Sequence, residues 1–294
     1  MPQVGIFLSC EGSNKEATTS PFQWTPTKLS AQGLIHLALD SGYATEIIET
    51  HNLFERDLSR YGAIVIGTTS WIDNETRDKL LEYTEMGGNL IIASPKTAKL
   101  FGFGVSEPTE KLIHICDGEA LAPMMVYAAD LATVKGSEIC GTYYLDNYME
   151  NGPYTAAYVT KMGKGKVAVT CFDFGRGYSK NKTTCAKNFF KNIMKKTFTK
   201  PAVTVEGSSL VELDITEKDN MMYIHLLNYG GPHEVANIRS YSEIPPLGPL
   251  TVKIADYIKP KSVTIEPEHK TWKGNPNRIR IEKLDIHTVI AVEL

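Results

Sequence analysis

Two periods of apolar and polar residues run along this chain, and they divide it into three stretches. From Val4 to Ser94, short uninterrupted apolar runs alternate with segments whose apolar residues recur every three to four positions. The clearest unit lies between Tyr61 and Ser94. It comprises an Ile- and Val-rich run from Ala63 to Gly67, the pair Asp73-Asn74, an amphipathic segment from Glu75 to Met86, Gly87-Gly88, and a second apolar run from Asn89 to Ser94. Apolar runs of this kind belong to strands covered on both faces, as in a parallel sheet. Leu80, Leu81 and Thr84 at helical spacing predict the helix between them. Asp73 or Asn74 can cap its first turn, and Gly87 or Gly88 can take the left-handed conformation that ends it. The unit is βαβ, with the right-handed crossover such units adopt.

The same alternation extends upstream. Val4 to Ser9 reads as a strand, Thr27 to Ser41 as a helix with Ala31, Leu34, Ile35 and Ala38 on one stripe, and Ala44 to Glu49 as a second strand. Between the first strand and the helix lies a polar stretch, Cys10 to Pro26, too long for a tight connection and read as a functional or disordered loop; it holds Glu11, Pro21, Phe22 and Trp24. The predicted fold is an open, doubly wound α/β sheet of flavodoxin or class I amidotransferase type. Ligands of such sheets bind beyond the carboxyl ends of the strands, here Ser9-Cys10, Glu49 to His51, Thr68 to Trp71 and Ser94 to Lys96.

From Leu112 the period shortens. Strand-like segments at 112–116, 130–134, 138–145, 155–159 and 166–172 are separated by Gly, Asp and Asn, with Gly163-Lys164-Gly165 as a hairpin turn. A helix from Asn181 to Phe198, burying Phe189, Phe190, Ile193 and Met194, ends at Thr199-Lys200-Pro201, the expected domain boundary. Beyond it no helix is predicted. Six short strands lie among turns that include Gly230-Gly231-Pro232, Pro245-Pro246 and Gly274-Asn275-Pro276, with Val252/Ile254, Val263/Ile265 and Ile279/Ile281 facing one way, which predicts a small all-β sandwich. The expected organisation is therefore an α/β domain over 1–200 and a sandwich over 201–294.

Composition narrows the function classes. At 42% hydrophobic and 22% charged, with a net charge of −3, the chain has no field that would draw it to nucleic acid or an anionic membrane. The lysines at 161–166 and 187–200 read as a turn and the solvated face of a helix. No apolar run approaches a membrane span and the start has no leader-like pattern, so a cytoplasmic location is expected. Five cysteines without a C-x-x-C pair read as reduced thiols, and seven scattered histidines give no metal-ligand spacing. Gly12, Gly67, Gly102 and Gly104 form no phosphate-binding fingerprint. Neither metal nor cofactor is expected.

Catalytic candidates are weak. Ser94 ends a central strand, but Pro95 follows it and lacks the backbone N–H an oxyanion hole would use. Cys10 lies beside Glu11, with His36 and His51 as conceivable bases, yet nothing in the spacing fixes a base against the thiol. Glu11, Asp73, Glu119, Asp146 and Asp173 are available carboxylates, but no motif pairs any two for glycosidase chemistry. Trp24 and Trp71, each in a loop at a strand's carboxyl end, can stack on a sugar or fill a partner's pocket. Cys10, Glu11, Phe22, Trp24 and Trp71 are thus candidates for the rim of a substrate pocket, and no catalytic residue is assigned.

Two stretches carry a family resemblance. Tyr61-Gly62-Ala63-Ile64-Val65-Ile66-Gly67, continuing through Asn74-Glu75 to Gly87-Gly88-Asn89-Leu90-Ile91-Ile92-Ala93, resembles the trimerisation domain of family 42 β-galactosidases, which has a glutamine-amidotransferase-like fold. His225-Leu226-Leu227-Asn228-Tyr229, Ile244-Pro245-Pro246-Leu247-Gly248-Pro249-Leu250 and His287-Thr288-Val289-Ile290-Ala291-Val292-Glu293-Leu294 resemble the sandwich that follows it in those and in fucosidase-like enzymes. In that family a TIM barrel ahead of these domains carries the catalytic carboxylates. No eightfold βα pattern exists here. The resemblance implies an accessory, oligomerising region, part of a longer enzyme or free-standing. Its partners would be copies of itself, as a trimer, or a TIM-barrel glycosidase domain, with carbohydrate as a possible ligand and no nucleic acid or membrane. It also implies that the loop from Cys10 to Pro26 lies near the mouth of a barrel's active site. Two alternatives stand beside it: a free-standing amidotransferase-like small hydrolase, and a carbohydrate-binding module.

Overall fold

The computed structural model describes residues 3–20, 22–230 and 244–294; Pro21, Gly231 and Pro232, named above in the long loop and in a turn, lie outside them. The chain is mixed α/β and forms two compact units, one built from Val4–Leu37 and Thr45–Thr199, the other chiefly from Lys200–Leu294 with Ala38–Ala44.

The first unit is organised around a nine-stranded mixed sheet. In chain order its elements are β1 (Val4–Leu8), α1 (Cys10–Glu16), α2 (Pro26–Asp40), β2 (Thr45–Glu49), β3 (Ala63–Ile66), α3 (Asn74–Glu85), β4 (Asn89–Ile92) and α4 (Pro95–Leu100), followed by β5 (Thr109–Cys116), β6 (Leu121–Ala128), β7 (Glu138–Tyr144), β8 (Tyr154–Met162), β9 (Gly165–Thr170), α5 (Phe174–Lys180) and α6 (Thr184–Thr197). The sheet order is β2-β1-β3-β4-β9-β8-β7-β5-β6. The first five strands are parallel and the last four are added antiparallel.

The βαβ unit forms as the pattern predicts. Asp73 is the cap of α3, its Oδ1 accepting the Thr76 N–H at 2.7 Å and its Oδ2 the Thr76 hydroxyl at 2.8 Å. Gly87, at φ +122°, turns the chain out of the helix into β4. All four residues of β3 are buried, as strands covered on both faces require. Gly163-Lys164-Gly165 does form the β8–β9 hairpin turn, with Met162 paired to Gly165. The stripe Phe189, Phe190, Ile193 and Met194 of α6 is buried.

Four local readings need correction. The stretch from Cys10 to Pro26 is not one loop: Cys10–Glu16 is helical because the Ser9 hydroxyl accepts the Gly12 N–H at 3.0 Å, a cap that needs no apolar periodicity. Residues 130–134 form no strand but a single bridge, Val105 to Leu131, before a turn at Gly136, whose φ is +82°. The missing strand is β6, disguised by Pro123, which is tolerated because β6 lies at the sheet edge. The turn after β4 opens a short helix, α4, with Pro95 in its first turn, where the absent N–H costs nothing. A further helix absent from the sequence pattern is α5, which begins at the cap Asp173.

The second unit contains β10 (Val203–Glu206), β11 (Val211–Lys218), β12 (Met221–Asn228), β13 (Leu250–Ile254), β14 (Ser262–Glu266), β15 (Lys270–Thr271), β16 (Arg278–Ile281) and β17 (His287–Glu293), with no helix among the described residues from 200 onward. They make two antiparallel sheets, β10-β13-β16 and β11-β12-β17-β14-β15. Val252, Ile254, Ile279 and Ile281 from one sheet share an apolar cluster with Val263, Ile265, Ile224, Leu226 and Ile290 from the other, so the alternation seen in the sequence is what builds this core.

Candidate functional site

Two features of the first unit sit at the carboxyl ends of its parallel strands. One is the aromatic loop between α1 and α2. Its base is tied at several points. The Ser13 and Thr25 hydroxyls are 3.0 Å apart, the Thr27 N–H donates to Glu16 Oε2 at 2.9 Å, and Gln23 Oε1 accepts the N–H groups of Thr18 and Thr19 at 2.9 and 3.2 Å. Above this base, Phe22 is 89% and Trp24 61% exposed. A loop held by its own polar groups while displaying two large aromatics spends little ordering entropy when those aromatics are buried by something else.

The other feature is a cavity of about 360 Å³ whose lining includes Thr68, Ser94, Lys96, Tyr127, Asp173 and Arg176. Thr68 follows β3, Ser94 and Lys96 follow β4, and Asp173 follows β9, so the cavity lies where parallel sheets hold ligands. Its floor is a buried hydrogen-bond chain. Ser30 Oγ, on α2, donates to Asp173 Oδ1 at 2.7 Å while accepting the Thr68 N–H at 2.9 Å, and the Thr68 hydroxyl donates to Asp173 Oδ2 at 2.6 Å. Thr68 Oγ1 is also 2.8 Å from Ser94 Oγ. Asp173 further accepts the Arg176 N–H at 3.2 Å, which caps α5. Burial pushes the Asp173 carboxyl above the usual range despite its hydroxyl partners and the nearby Arg176 charge.

The five candidates read from the sequence fall elsewhere. Cys10 opens α1, half-buried, with its N–H on Thr50 Oγ1 at 3.2 Å. Its thiol is pushed up by burial and then by the Glu49 and Glu11 charges, the opposite of what a thiolate nucleophile needs. His51 turns instead to Glu49, 3.4 Å away. Glu11 has one carboxylate oxygen buried without a hydrogen-bond partner among the described residues. Trp71 is half-buried under Lys15, whose Nζ sits 3.6 Å from the ring centre. Only Phe22 and Trp24 stand out into solvent. At neutral pH, Cys10 is therefore expected to alkylate with iodoacetamide more slowly than free cysteine, as peptide mass spectrometry would report; faster alkylation would revive a nucleophilic role.

Of the cavity residues, Asp173 and Ser94 were visible in the sequence as an acid and a strand-end hydroxyl. Ser30, Tyr127 and Arg176 were not. Ser30 sits in the middle of an amphipathic helix, and Tyr127 and Arg176 belong to the strand and helix that the pattern concealed.

The class defined by these features is a mixed α/β sheet followed by two antiparallel sheets, with a cavity at the parallel strands' carboxyl ends. Residues 13–97 match the family model described as GLMA-like, second domain. Among solved structures, the whole chain superposes on α-L-fucosidase isoenzyme 2 from Paenibacillus thiaminolyticus with a TM-score of 0.75 and 13% identity, covering 100% of this chain and 48% of that one. It superposes on Gan42B, a GH42 β-galactosidase from G. stearothermophilus, with a TM-score of 0.62 and 14% identity over 100% and 40% of the two chains. The β-galactosidase of Bacillus circulans sp. alkalophilus gives a TM-score of 0.62 and 11% identity over 99% and 41%. No curated protein matches the sequence. The chain thus spans less than half the length of these structures, and at such identities the likeness is one of fold. That likeness carries the resemblance to GH42 β-galactosidases and a fucosidase across the whole chain. Among the described residues no helix is long and apolar enough to cross a membrane.

Proposed function

We propose that this chain is a non-catalytic accessory region of a glycoside hydrolase, acting by oligomerisation and by lending the loop that carries Phe22 and Trp24 to the rim of a sugar-binding pocket. The observation that carries this reading is the exposure of both aromatics on a loop whose base is fixed. The fold it shares with parts of larger glycosidases supports it. On this reading the α/β domain over 1–200 has the flavodoxin or class I amidotransferase arrangement, the region over 201–294 is a sandwich, and the partners are further copies of the chain, as a trimer, or a TIM-barrel glycosidase domain, in the cytoplasm. Cys10, Glu11 and Trp71 would be neighbours of that rim rather than its contact points, since none of them is displayed as Phe22 and Trp24 are.

The test is Trp24→Ala. In the barrel-containing enzyme it is expected to lower kcat/KM by about tenfold, the scale of an interface aromatic, while the Tm of the 294-residue chain stays within about a degree, as for a surface substitution. Unchanged turnover would overturn the rim role, and a Tm loss of several degrees in the chain would show the loop to be a lid on its own domain.

A further inference from the structure

The cavity above the Ser30, Thr68 and Asp173 chain has no part in the reading just given, and its lining is uneven in charge. Arg176 lies over the Tyr127 ring, 5.6 Å from its centre, and its guanidinium meets no carboxylate at ion-pair distance among the described residues. Lys96 Nζ is 3.9 Å from Glu16 Oε1, a carboxylate oxygen buried without a hydrogen-bond partner among the described residues. The two acids of the cavity lining are engaged elsewhere. Glu107 is 2.6 Å from Lys99 Nζ, and Asp173, 2% exposed, has its oxygens occupied by two hydroxyls and a backbone N–H. The cavity therefore offers the Arg176 guanidinium, without a carboxylate at ion-pair distance among the described residues, and Lys96, which shares its charge with Glu16, set beside a fixed row of hydroxyls.

Ser94 ends that row at the cavity lining: its Oγ is 2.8 Å from Thr68 Oγ1 and keeps hydrogen-bonding capacity for a ligand hydroxyl. A guanidinium and an ammonium favour an oxyanion, the guanidinium in a bidentate fork. A hydroxyl beside them favours a ligand that also carries hydroxyls, and the Tyr127 ring, 44% exposed, favours a compact body with an apolar side. The volume of about 360 Å³ lies at the small end of ligand pockets.

We infer that this cavity binds a small hydroxylated oxyanion of monosaccharide size, a sugar acid or a sugar phosphate, with Arg176 and Lys96 on the anionic group and Ser94 on a ligand hydroxyl. The site adjoins the base of the aromatic loop at Pro26 and Glu16 but uses neither Phe22 nor Trp24, so its test is independent of the rim role.

The experiment is calorimetric titration of the 294-residue chain with D-galacturonate, glucose 6-phosphate, inorganic phosphate and neutral D-galactose. A Kd on the order of a millimolar or tighter is expected for at least one of the two charged sugars, weakening as salt is raised, and the tighter of the two identifies the anionic group. Arg176→Leu is expected to weaken that binding by about tenfold or more, the scale of lost charge-assisted hydrogen bonds, and Arg176→Lys to restore part of it. Ser94→Ala, which leaves both cations in place, is expected to narrow the difference between the charged sugar and inorganic phosphate. Circular dichroism of each variant separates loss of binding from loss of fold. Galactose binding as tightly as the charged sugars, inorganic phosphate binding as tightly as either, no binding of any probe, or insensitivity to Arg176→Leu in a folded variant would each overturn the assignment.

Discussion

Replacing Gly33 by alanine is expected to lower the Tm of the first unit by about 5–10 °C, from an overpacking cost of roughly 2–3 kcal/mol in a domain of this size. Gly33 lies on α2 against the start of α5, where a Cβ would sit 1.9 Å from the carbonyl oxygen of Gly175. The reciprocal contact is as close: a Cβ on Gly175 would sit 2.0 Å from the carbonyl oxygen of Ser30. Both obstructing atoms are backbone, so no side chain can swing aside and the two helices must separate. Separation would pull Ser30 away from Asp173 and open the cavity floor. Because either alanine forces the same movement, Gly33→Ala and Gly175→Ala together should cost clearly less than the sum of the singles. Thermal unfolding followed by circular dichroism measures both effects; a Tm unchanged by Gly33→Ala would mean that the helices are not in this contact.

The second large effect concerns Asp173. Asp173→Ala removes the cap of α5 and leaves the Ser30 and Thr68 hydroxyls without their acceptor in a buried place, which should cost about 3 kcal/mol or more. Asp173→Asn should behave differently. Its amide can donate to Thr68 and its carbonyl can accept from Ser30, reproducing the protonated carboxyl. The folded protein raises the Asp173 pKa, so between the unfolded and folded values it holds a proton that the unfolded chain releases. Stability contributed by this group is therefore greatest at low pH and falls as pH rises through that window. Measured as the difference between wild type and Asp173→Asn in denaturant unfolding, wild type should lose ground as pH rises from the acid side and then level off. A difference that instead grows in favour of wild type with rising pH would mean that the carboxylate is better stabilised in the fold than in water.

The sequence was most informative where a single period governs both faces of an element. Ala63 to Ile66 and Leu90 to Ile92 are buried on both sides, so every one of these residues is apolar and the strands are unmistakable. Val252/Ile254 and Ile279/Ile281 are buried on one side, so they alternate and are equally plain. What escaped were elements fixed by caps and edges. The helices α1, α4 and α5 have six or seven residues each, too few for a stripe to repeat, and start from Ser9, Ser94-Pro95 and Asp173. The edge strand β6 carries a proline that argues against a strand anywhere else. The cavity floor escaped for another reason: Ser30 and Thr68 meet Asp173 across 143 and 105 residues of chain, and no spacing rule reaches so far. Phe22 and Trp24 were legible because two large aromatics in a polar stretch demand either a cover or a partner. Both are exposed, 89% and 61%.

The most direct test of the claim that this region works by assembly is sedimentation velocity on the 294-residue chain at high micromolar concentration. A species with the mass of three chains is the expected result. A single monomeric boundary at that concentration would contradict it.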